Sequence, residues 1–504
     1  MSESFNSDAN QPSLTQEQCA WWITHGAQPR ANSEISGIGV VVAFVLSAYI
    51  TTGLAIAAYL LGAIDNKVLG PVDLLVHRIP TRSKISPAWR EAIQQCILLF
   101  SDQQIMTGIA ILVAGFLGLS GVMDVYHFQI VIMLGWMSSS VNLTALIVLG
   151  RYFEEHKAVF MWRLAGMLVL LILLLVALVP TASIRWAMWH TEDGDPEETS
   201  GWAIPAGCFF IREWGHGFSP DAPFSYVLLI VSYVWKIGSV SKTTRSLFLQ
   251  WIREPIEGYL GSLLLREAQA RDPSVAQGMT WRHRLYLVLY IDLLVLFEFA
   301  ASFAASLWLS AIGLLYATTE IVIPRHQNAK HFAEEDEWTF GQIVPIILLL
   351  QPIGAVLELY RGGHRTKATP DPSLPVDDLE LSVPEDPVDH QLSIEPTIEP
   401  RQGNLEKAEA QTVVVVSHAS QAEESDWLTR QRMTILSSRT FAALIILTHV
   451  CLLTFSILAF YINALSIGFE VTHDWIWMLM GTAVYIGILI TITIISICFD
   501  NVSR

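Results

Sequence analysis

The stretch MWRLAGMLVLLILLLVALVPT, residues 161–181, carries a single charged side chain, Arg163. An α-helix rises about 1.5 Å per residue, so about 20 apolar residues cross a hydrocarbon core about 30 Å thick. Such a helix pairs its backbone polar groups internally, which the interior of a bilayer requires. The stretch therefore predicts a transmembrane helix.

Comparable apolar runs recur along the chain, and together they predict an all-α polytopic bundle with about nine spans. The predicted spans cover residues 37–64, 104–120, 129–150, 161–181, 223–240, 285–317, 340–358, 440–462 and 476–498. The second and fifth runs are short, which leaves eight spans as the alternative. The sixth run is too long for one straight span, so we expect it to tilt or to continue as an amphipathic turn at one surface.

The composition supports this prediction. Of 504 residues, 52% are hydrophobic and only 15% are charged, with a mean hydropathy of +0.44, whereas soluble domains carry about 25% charged residues. The formal net charge of −17 argues against a nucleic-acid partner. The polar N-terminus lacks a basic region, so no cleaved signal peptide is expected.

Basic residues alternate between loops and orient the predicted spans. Lysine and arginine are frequent in 65–100, 151–163 and 241–284 and scarce in the loops between them. Cytoplasmic loops carry such an excess. The N-terminus is therefore predicted to be lumenal or extracellular and the C-terminus cytosolic, with the endoplasmic reticulum preferred over the plasma membrane.

The same reasoning divides the chain into segments. They are an extracytoplasmic segment 1–36, a bundle of about seven spans at 37–358 with an outer loop at 182–222, an insert at 359–439, and two last spans with a short tail at 440–504. The insert is acidic and proline-rich. It has too little apolar surface to offset the entropy of ordering, so it is predicted to be a disordered cytosolic region.

Two carboxylates, Asp292 and Glu298, fall inside the sixth run among many aromatic residues. A carboxylate at the centre of a bilayer costs about 2.5–3.5 kcal/mol, so each needs a reason. One interpretation is a catalytic acid in a dry pocket, with Phe299 and other aromatic faces stabilising a carbocation. The alternative is an ion pair with a basic residue such as Lys236, which would only hold two helices together.

The string Ser101-Asp102-Gln103-Gln104 stands at the predicted start of the second span. Helix capping would explain Ser101. Glutamine amides that enter a membrane demand partners, so Asp102 is a further candidate acid and Gln104 a candidate substrate-binding residue.

Three other features single out residues near the predicted outer surface or within spans. His127 is a candidate proton relay or an ordinary interfacial histidine. His449 is a lone helical histidine that we expect a neighbouring helix to satisfy. Cys19 and Cys208 both face the oxidising side, so they are predicted to form a disulfide, with two free thiols as the alternative.

Many common enzyme motifs are missing. The sequence contains no P-loop, no Rossmann glycine pattern, no HExxH and no GxSxG. It has no CxxC pair, and the aspartate-rich diphosphate-binding motif of soluble terpene synthases is missing too. We therefore expect no metal site and no cofactor.

Several strings carry a resemblance to a family. They are Asn32-Ser-Glu34-Ile-Ser-Gly37-Ile-Gly39-Val, Ser101-Asp102-Gln103-Gln104-Ile-Met-Thr107-Gly108-Ile-Ala-Ile-Leu, Tyr126-His127, Trp136-Met-Ser138-Ser139 and Trp162-Arg163. Over residues 30–181 the chain resembles a family of multi-span membrane proteins of filamentous fungi with an SDQQxxTGIAIL-type motif. It departs from that pattern at Phe128, where the family commonly has tryptophan, and at Asn142, where it commonly has histidine.

The chain also looks like the membrane-bound fungal terpene cyclases that act on prenylated aromatic intermediates. That resemblance implies an acid that protonates an epoxide or olefin of a farnesyl chain, followed by cyclisation in an aromatic pocket without a metal. Candidate catalytic acids are Glu298, Asp292 and Asp102. Candidate substrate-binding residues are Gln104, Trp136, His127 and Phe299, with Trp136 and Phe299 as cation stabilisers.

Two other functions stay open at this point. In a proton-coupled transporter or channel the same carboxylates would be ion sites, although the chain shows no internal repeat of the kind that transporters have. In a receptor or scaffold the acidic insert would be a docking segment. The expected partners are membrane lipid and a lipophilic small molecule, and the oligomeric state is open.

Overall fold

The computed structural model describes most of the chain outside the N-terminus, the insert and several loops. The described residues are 14–64, 69–77, 86–119, 123–186, 200–211, 219, 221–240, 249–269, 281–327, 333–352, 354, 427, 429–465, 481 and 484–494. Within these ranges the fold is all-α, with two isolated β-bridges and no strand. The predicted fold class, an all-α polytopic membrane protein, is confirmed.

The helices are numbered here in chain order. They are α1 (Gln16–His25), α2 (Ile38–Leu60), α3 (Pro71–His77), α4 (Pro87–Gly118), α5 (Val125–Val148), α6 (Gly150–Glu155), α7 (Lys157–Ala177), α8 (Gly207–Ile211), α9 (Asp221–Val240), α10 (Glu254–Gln269), α11 (Trp281–Ala300), α12 (Phe303–Gln327), α13 (Phe340–Leu348), α14 (Arg439–Leu465) and α15 (Val484–Ile494). Six of them are long and apolar enough to cross a membrane: α2, α4, α5, α7, α12 and α14. Shorter apolar helices lie at Ser225–Gly238, Phe340–Pro352 and Val484–Ile494.

Helix α5 forms the centre of the bundle. Of its most apolar window, 94% is buried, and it contacts α2, α4, α7, α9 and α12. Apolar and small residues occur on every side of this helix, which is typical of a helix surrounded by other helices. Small residues allow the close contacts: a Cβ added to Gly108 of α4 would lie 2.6 Å from the Cβ of Ser138.

One end of the bundle is organised by Asp73, and we call it the Asp73 end. This fully buried carboxylate accepts hydrogen bonds from the backbone N–H groups of Phe303 (3.0 Å) and Ala304 (3.1 Å), which begin α12. It also accepts from the Tyr59 hydroxyl (2.9 Å) at the end of α2. A carboxylate at a helix N-terminus accepts from the unpaired N–H groups and interacts favourably with the helix dipole. The end of α2 and the start of α12 therefore lie together.

The opposite end, which we call the His127 end, contains the start of α2 and the end of α12. The Arg325 guanidinium donates to the carbonyl oxygen of Ser36 (2.5 Å), and the N–H of Gly39 donates to the Gln342 side chain (3.2 Å). Only glycine fits at position 39, because a Cβ there would lie 2.4 Å from the carbonyl oxygen of Gln342. Helix α12 therefore extends over the whole distance from the Asp73 end to the His127 end.

The sixth predicted span is divided between two helices, so of the two expectations for it the single tilted span was wrong. The apolar run 285–317 is not one tilted span, because the helix breaks at Ala301 and Ser302 into α11 and α12. The 25 residues of α12 cover about 37 Å and cross by themselves. Asp292 and Glu298 belong to α11, outside that span.

Helix α11 lies at the Asp73 end. Helix α9 begins at the His127 end, where the N–H of Ser219, two residues before α9, bonds to the carbonyl of Ala182, and its 20 residues carry the chain across. Helix α12 begins at the Asp73 end. The segment between them therefore starts and finishes at the Asp73 end, where α11 packs against α10 and contacts α3.

The helix of the second predicted span is also longer than expected. Helix α4 begins at Pro87, with Ser86 as its N-cap accepting from the N–H of Trp89. Ser101 is consequently not a cap. It lies in the middle of α4, and its hydroxyl donates to the carbonyl of Leu98 at 3.0 Å.

A small cap, formed by α1, α8 and the residues around them, covers the His127 end. Cys19 of α1 and Cys208 of α8 form a disulfide, with their Cα atoms 5.3 Å apart. Backbone bonds join Ala27 to Ser200, and the N–H of Ala206 to the carbonyl of Met123. The N-terminal segment is therefore tied to residues 200–208 and to the start of α5.

The chain divides into two compact units, one formed by 1–360 with 435–504 and the other by 361–434. All helices named above lie in the first unit. Most of the predicted insert, 359–439, lies outside the described residues, so its predicted disorder and its docking role stay predictions.

Candidate functional site

Glu298 of α11 forms an ion pair with a basic residue. Its carboxylate accepts from the Arg253 guanidinium at 2.5 Å, and both side chains are buried. Arg253 also bonds Glu257 at 2.7 Å. The expected ion-pair alternative named Lys236 as the partner, but Lys236 instead donates to the hydroxyl of Ser310. The structure thus places Glu298 in a buried ion pair that joins α11 to the start of α10.

Asp102 is paired as well. It accepts from Arg163 of α7 at 2.5 Å, and its side chain is 47% exposed. Arg163 donates in addition to the carbonyl of Leu98, at 2.6 Å. Two residues that carry the family resemblance, Asp102 and Arg163, are therefore partners that join α4 to α7.

Asp292 is the predicted acid that no cation neutralises among the described residues. Its Oδ1 accepts from the Thr493 hydroxyl of α15 at 2.8 Å. Its Oδ2 is buried and has no hydrogen-bond partner in the described part of the chain. Burial raises the pKa of the Asp292 carboxyl to about 6, and the Thr493 bond lowers it by less. A proton on Oδ2 is available for donation near neutral pH.

His449 of α14 presents the complementary atom. We expected a neighbouring helix to satisfy this ring, and among the described residues no neighbouring helix bonds its nitrogens. Nδ1 bonds the carbonyl oxygen of Ile445 in its own helix at 2.8 Å, while Nε2 is buried with no partner among the described residues. A carbonyl only accepts, so Nδ1 carries a proton, and in the neutral form of the ring Nε2 is the nitrogen that accepts one.

Asp292 and His449 lie where α11, α14 and α15 meet. The Phe299 ring of α11 contacts the His449 ring edge-on, with centroids 5.4 Å apart. Thr448, the neighbour of His449, bonds the Tyr485 hydroxyl at 2.7 Å, and Tyr485 interacts electrostatically with Asp292. We call these five residues, with Thr493, the Asp292 cluster. It combines an acid, a base and an aromatic face in a buried position at the Asp73 end.

Gln104 and Trp136 belong to the centre of the bundle instead. The Gln104 amide donates to the Ser47 hydroxyl and accepts from that of Ser138 at 2.7 Å, which joins α2, α4 and α5. The Trp136 ring packs edge-on against Tyr316 of α12, with centroids 5.8 Å apart. Gln104 is thus saturated by protein partners, and neither residue is part of the Asp292 cluster.

His127 lies at the His127 end between two carboxylates. Nδ1 is 2.5 Å from Asp124, and Nε2 is 2.7 Å from Glu335. Burial raises the pKa of the Asp124 carboxyl. Burial acts in the same direction on Glu335, but its hydrogen bonds with His127 and the histidine charge outweigh it, so the pKa of Glu335 is lowered. Glu335 is therefore ionised and accepts from the ring.

Glu335 also holds the N-terminal segment, since it accepts from the backbone N–H of Asn32 at 3.1 Å. All three members of the Asp124–His127–Glu335 chain are buried. The arrangement connects α5, the segment after α12 and the cap, and it satisfies each member. It is best described as a structural clamp.

We predict that Glu335→Gln loosens this clamp. A hydrogen bond to a charged group contributes about 1.5–3 kcal/mol, so hydrogen exchange at Asn32 and its neighbours should quicken roughly 10- to 100-fold. Asp336→Asn is the matched control, because Asp336 shares Arg325 as a partner but is 61% exposed. Equal exchange rates in both variants would contradict the clamp.

Sequence reasoning missed part of the cluster and the clamp. Glu335 lies in an acidic run, Glu334-Glu335-Asp336, that looks like a solvated loop. Tyr485 and Thr493 are ordinary residues of an apolar helix and carry no signal. For His449 there was a signal, a histidine within a span, but its partners are a matter of helix packing.

Comparisons with known proteins give two partial matches, both from Elsinoe fawcettii. The elsinochromes biosynthesis cluster protein HP3 is 36% identical over 113 residues, which are 22% of this chain and 45% of that protein. The elsinochromes biosynthesis cluster protein HP2 is 41% identical over 73 residues, 14% of this chain and 19% of that protein.

The matched part of the chain thus covers less than half the length of either relative. No family model and no solved structure matches the chain. The chain is therefore similar, over part of its length, to proteins of a fungal biosynthesis cluster.

Proposed function

We propose that this membrane protein is an enzyme that isomerises a lipophilic intermediate in fungal specialised metabolism by acid–base catalysis. The observation that carries the proposal is the Asp292 cluster, in which Oδ2 of Asp292 and Nε2 of His449 are buried without partners among the described residues. Buried polar atoms are normally bonded, so two unbonded atoms in one cluster point to a ligand or a reacting group. The partial similarity to two proteins named for a biosynthesis cluster supports the setting.

The specific reaction we propose is an acid-initiated cyclisation of a prenylated substrate. The Asp292 carboxyl gives its proton to the oxygen of an epoxide or to a terminal double bond. The resulting cation is attacked by the next double bond of the chain, which forms the ring. The face of Phe299 stabilises the positive charge.

Loss of a proton to Nε2 of His449 ends the reaction and leaves a new double bond. One proton enters the substrate and one leaves it, so the product is an isomer with unchanged mass. Exchange with solvent returns Asp292 and His449 to their starting forms. Thr493 orients the acid through the bond to Oδ1.

The test starts from the organism that carries this sequence. Deleting the coding sequence should cause a lipophilic precursor to accumulate. Microsomes from a host that expresses the chain should convert that precursor, or a farnesylated phenol or its terminal epoxide, into an isomer identified by mass spectrometry and NMR. An unchanged metabolite profile after deletion, together with no conversion, would refute the proposal.

The pH dependence of turnover follows from the acid. Asp292 donates only when protonated, and burial raises its pKa to about 6. Above pH 6 the rate should therefore fall, approaching tenfold per pH unit as the Asp292 carboxyl loses its proton. Initial rates in microsomes between pH 5 and 8 measure this. A rate that still rises between pH 7 and pH 8 would rule out Asp292 as the proton donor.

A proton-coupled transporter is the second candidate, and it is favoured by polar residues within the spans. Lys236 of α9 is buried and bonds Ser310, and the Gln129 amide donates to Glu320 at 3.1 Å. Intramembrane ionisable residues often mark ion paths. Proton flux in proteoliposomes that exceeds the flux in protein-free vesicles would favour this function.

A further inference from the structure

Helix α11 carries a continuous stripe that leads to Asp292. At about 100° per residue, positions 281, 285, 289, 292, 296 and 299 fall within about 80° of one another on a helix. The stripe therefore joins Trp281, Leu285 and Leu289 at its start to Asp292 and Phe299 near its end.

Exposure changes along this stripe. Trp281 is 70% exposed, Leu285 43% and Leu289 38%, whereas Asp292 is 7% exposed because α15 covers it. Leu296 is 37% exposed and keeps the stripe open beside Phe299. An apolar path thus runs from the protein surface to the buried acid.

The position of α11 indicates which surroundings the exposed residues Trp281, Leu285 and Leu289 have. The segment between α9 and α12 starts and finishes at the Asp73 end, and α12 enters the membrane directly after α11. The end of α11 therefore lies next to the point where the chain enters the membrane. The Arg282 guanidinium lies over the Trp281 ring, 5.7 Å from its centroid, and tryptophan with arginine is typical of the membrane–water interface.

We infer that the face of Trp281, Leu285 and Leu289 rests in the interfacial region of the bilayer and is the lateral access face through which a membrane-dissolved amphiphile reaches Asp292. The substrate class is then a molecule with a long apolar chain that partitions into the membrane, and not a soluble metabolite. The contact with lipid stands by itself, while the access role rests on the proposed function.

Photolabelling tests the lipid contact without any assay of activity. The full chain is reconstituted in nanodiscs of phosphatidylcholine that contain a phosphatidylcholine with a diazirine in its acyl chain, and labelled residues are mapped by mass spectrometry. We expect labels at residues 281–289. Ile172 of α7, 60% exposed, is the positive control, and α6, with Arg151 and Glu155 exposed and charged, is the negative control. Labels at Ile172 with none at 281–289 would overturn the inference.

Kinetics test the access role. Leu285→Glu places a charge on the path, so KM should rise more than tenfold while kcat stays within about twofold. Ile256→Glu is the matched control, since Ile256 of α10 is 41% exposed but lies off the stripe, and it should change neither constant. A lowered kcat with unchanged KM would overturn the access role. If no substrate is converted by the wild-type chain, the proposed function fails while labelling still decides the lipid contact.

Discussion

Asp292→Asn is expected to lower turnover by about 10³-fold while the chain still folds and reaches the membrane. A positioned proton donor contributes about 10²–10⁴-fold to a rate, and the asparagine amide keeps the size of the side chain but has no acidic proton. The Thr493 hydroxyl can still donate to the amide oxygen. Conversion of the accumulated precursor by microsomes measures the loss, with the amount of chain in the membrane determined in parallel.

The variant Thr493→Val distinguishes the presence of the acid from the orientation of its carboxyl group. This variant keeps the carboxyl of Asp292 and removes only the hydrogen bond to Oδ1, so turnover should fall by less than about tenfold. Asp102→Asn serves as a second comparison, because Asp102 is paired with Arg163 and lies outside the cluster. Full activity of Asp292→Asn would remove Asp292 from the catalytic role.

Arg253→Met is expected to destabilise the protein by about 3–5 kcal/mol. The substitution leaves Glu298 as an uncompensated buried charge, and breaking such a pair from one side costs about that much. Glu257 loses the same partner, although its side chain is more exposed. Thermal unfolding in detergent measures the change.

The double variant Arg253→Met with Glu298→Leu tests both roles of Glu298. When both partners of a buried ion pair are replaced by apolar residues of similar size, stability is often kept or increased. We therefore expect the double variant to recover both stability and turnover. A stable but inactive double variant would instead make Glu298 the catalytic acid, which is the role that its position in the sequence suggested.

The helical spans could be predicted from the sequence because the bilayer constrains each helix separately. Runs such as 161–181 must be helical in hydrocarbon whatever their neighbours are, so periodicity and length suffice. The break at Ala301–Ser302 was not readable, since no proline or glycine marks it. Asp73, more than 200 residues earlier in the sequence, fixes the start of α12 by accepting a hydrogen bond from the backbone N–H of Phe303.

The candidate site shows the same division. Asp292, Glu298 and Asp102 are conspicuous because carboxylates are costly among apolar residues, and the sequence identified all three. Their partners come from other helices: Thr493 for Asp292, Arg253 for Glu298 and Arg163 for Asp102.

By itself the sequence determined that this chain is an all-α membrane protein and which of its residues need a reason to be buried, because the cost of removing a charge from water is local. Only the tertiary structure decided that Glu298 is neutralised, that Asp292 and His449 each keep an open atom, and that α11 lies at one end of the bundle. Those outcomes depend on contacts between helices far apart in the chain, and no local pattern specifies which helices meet.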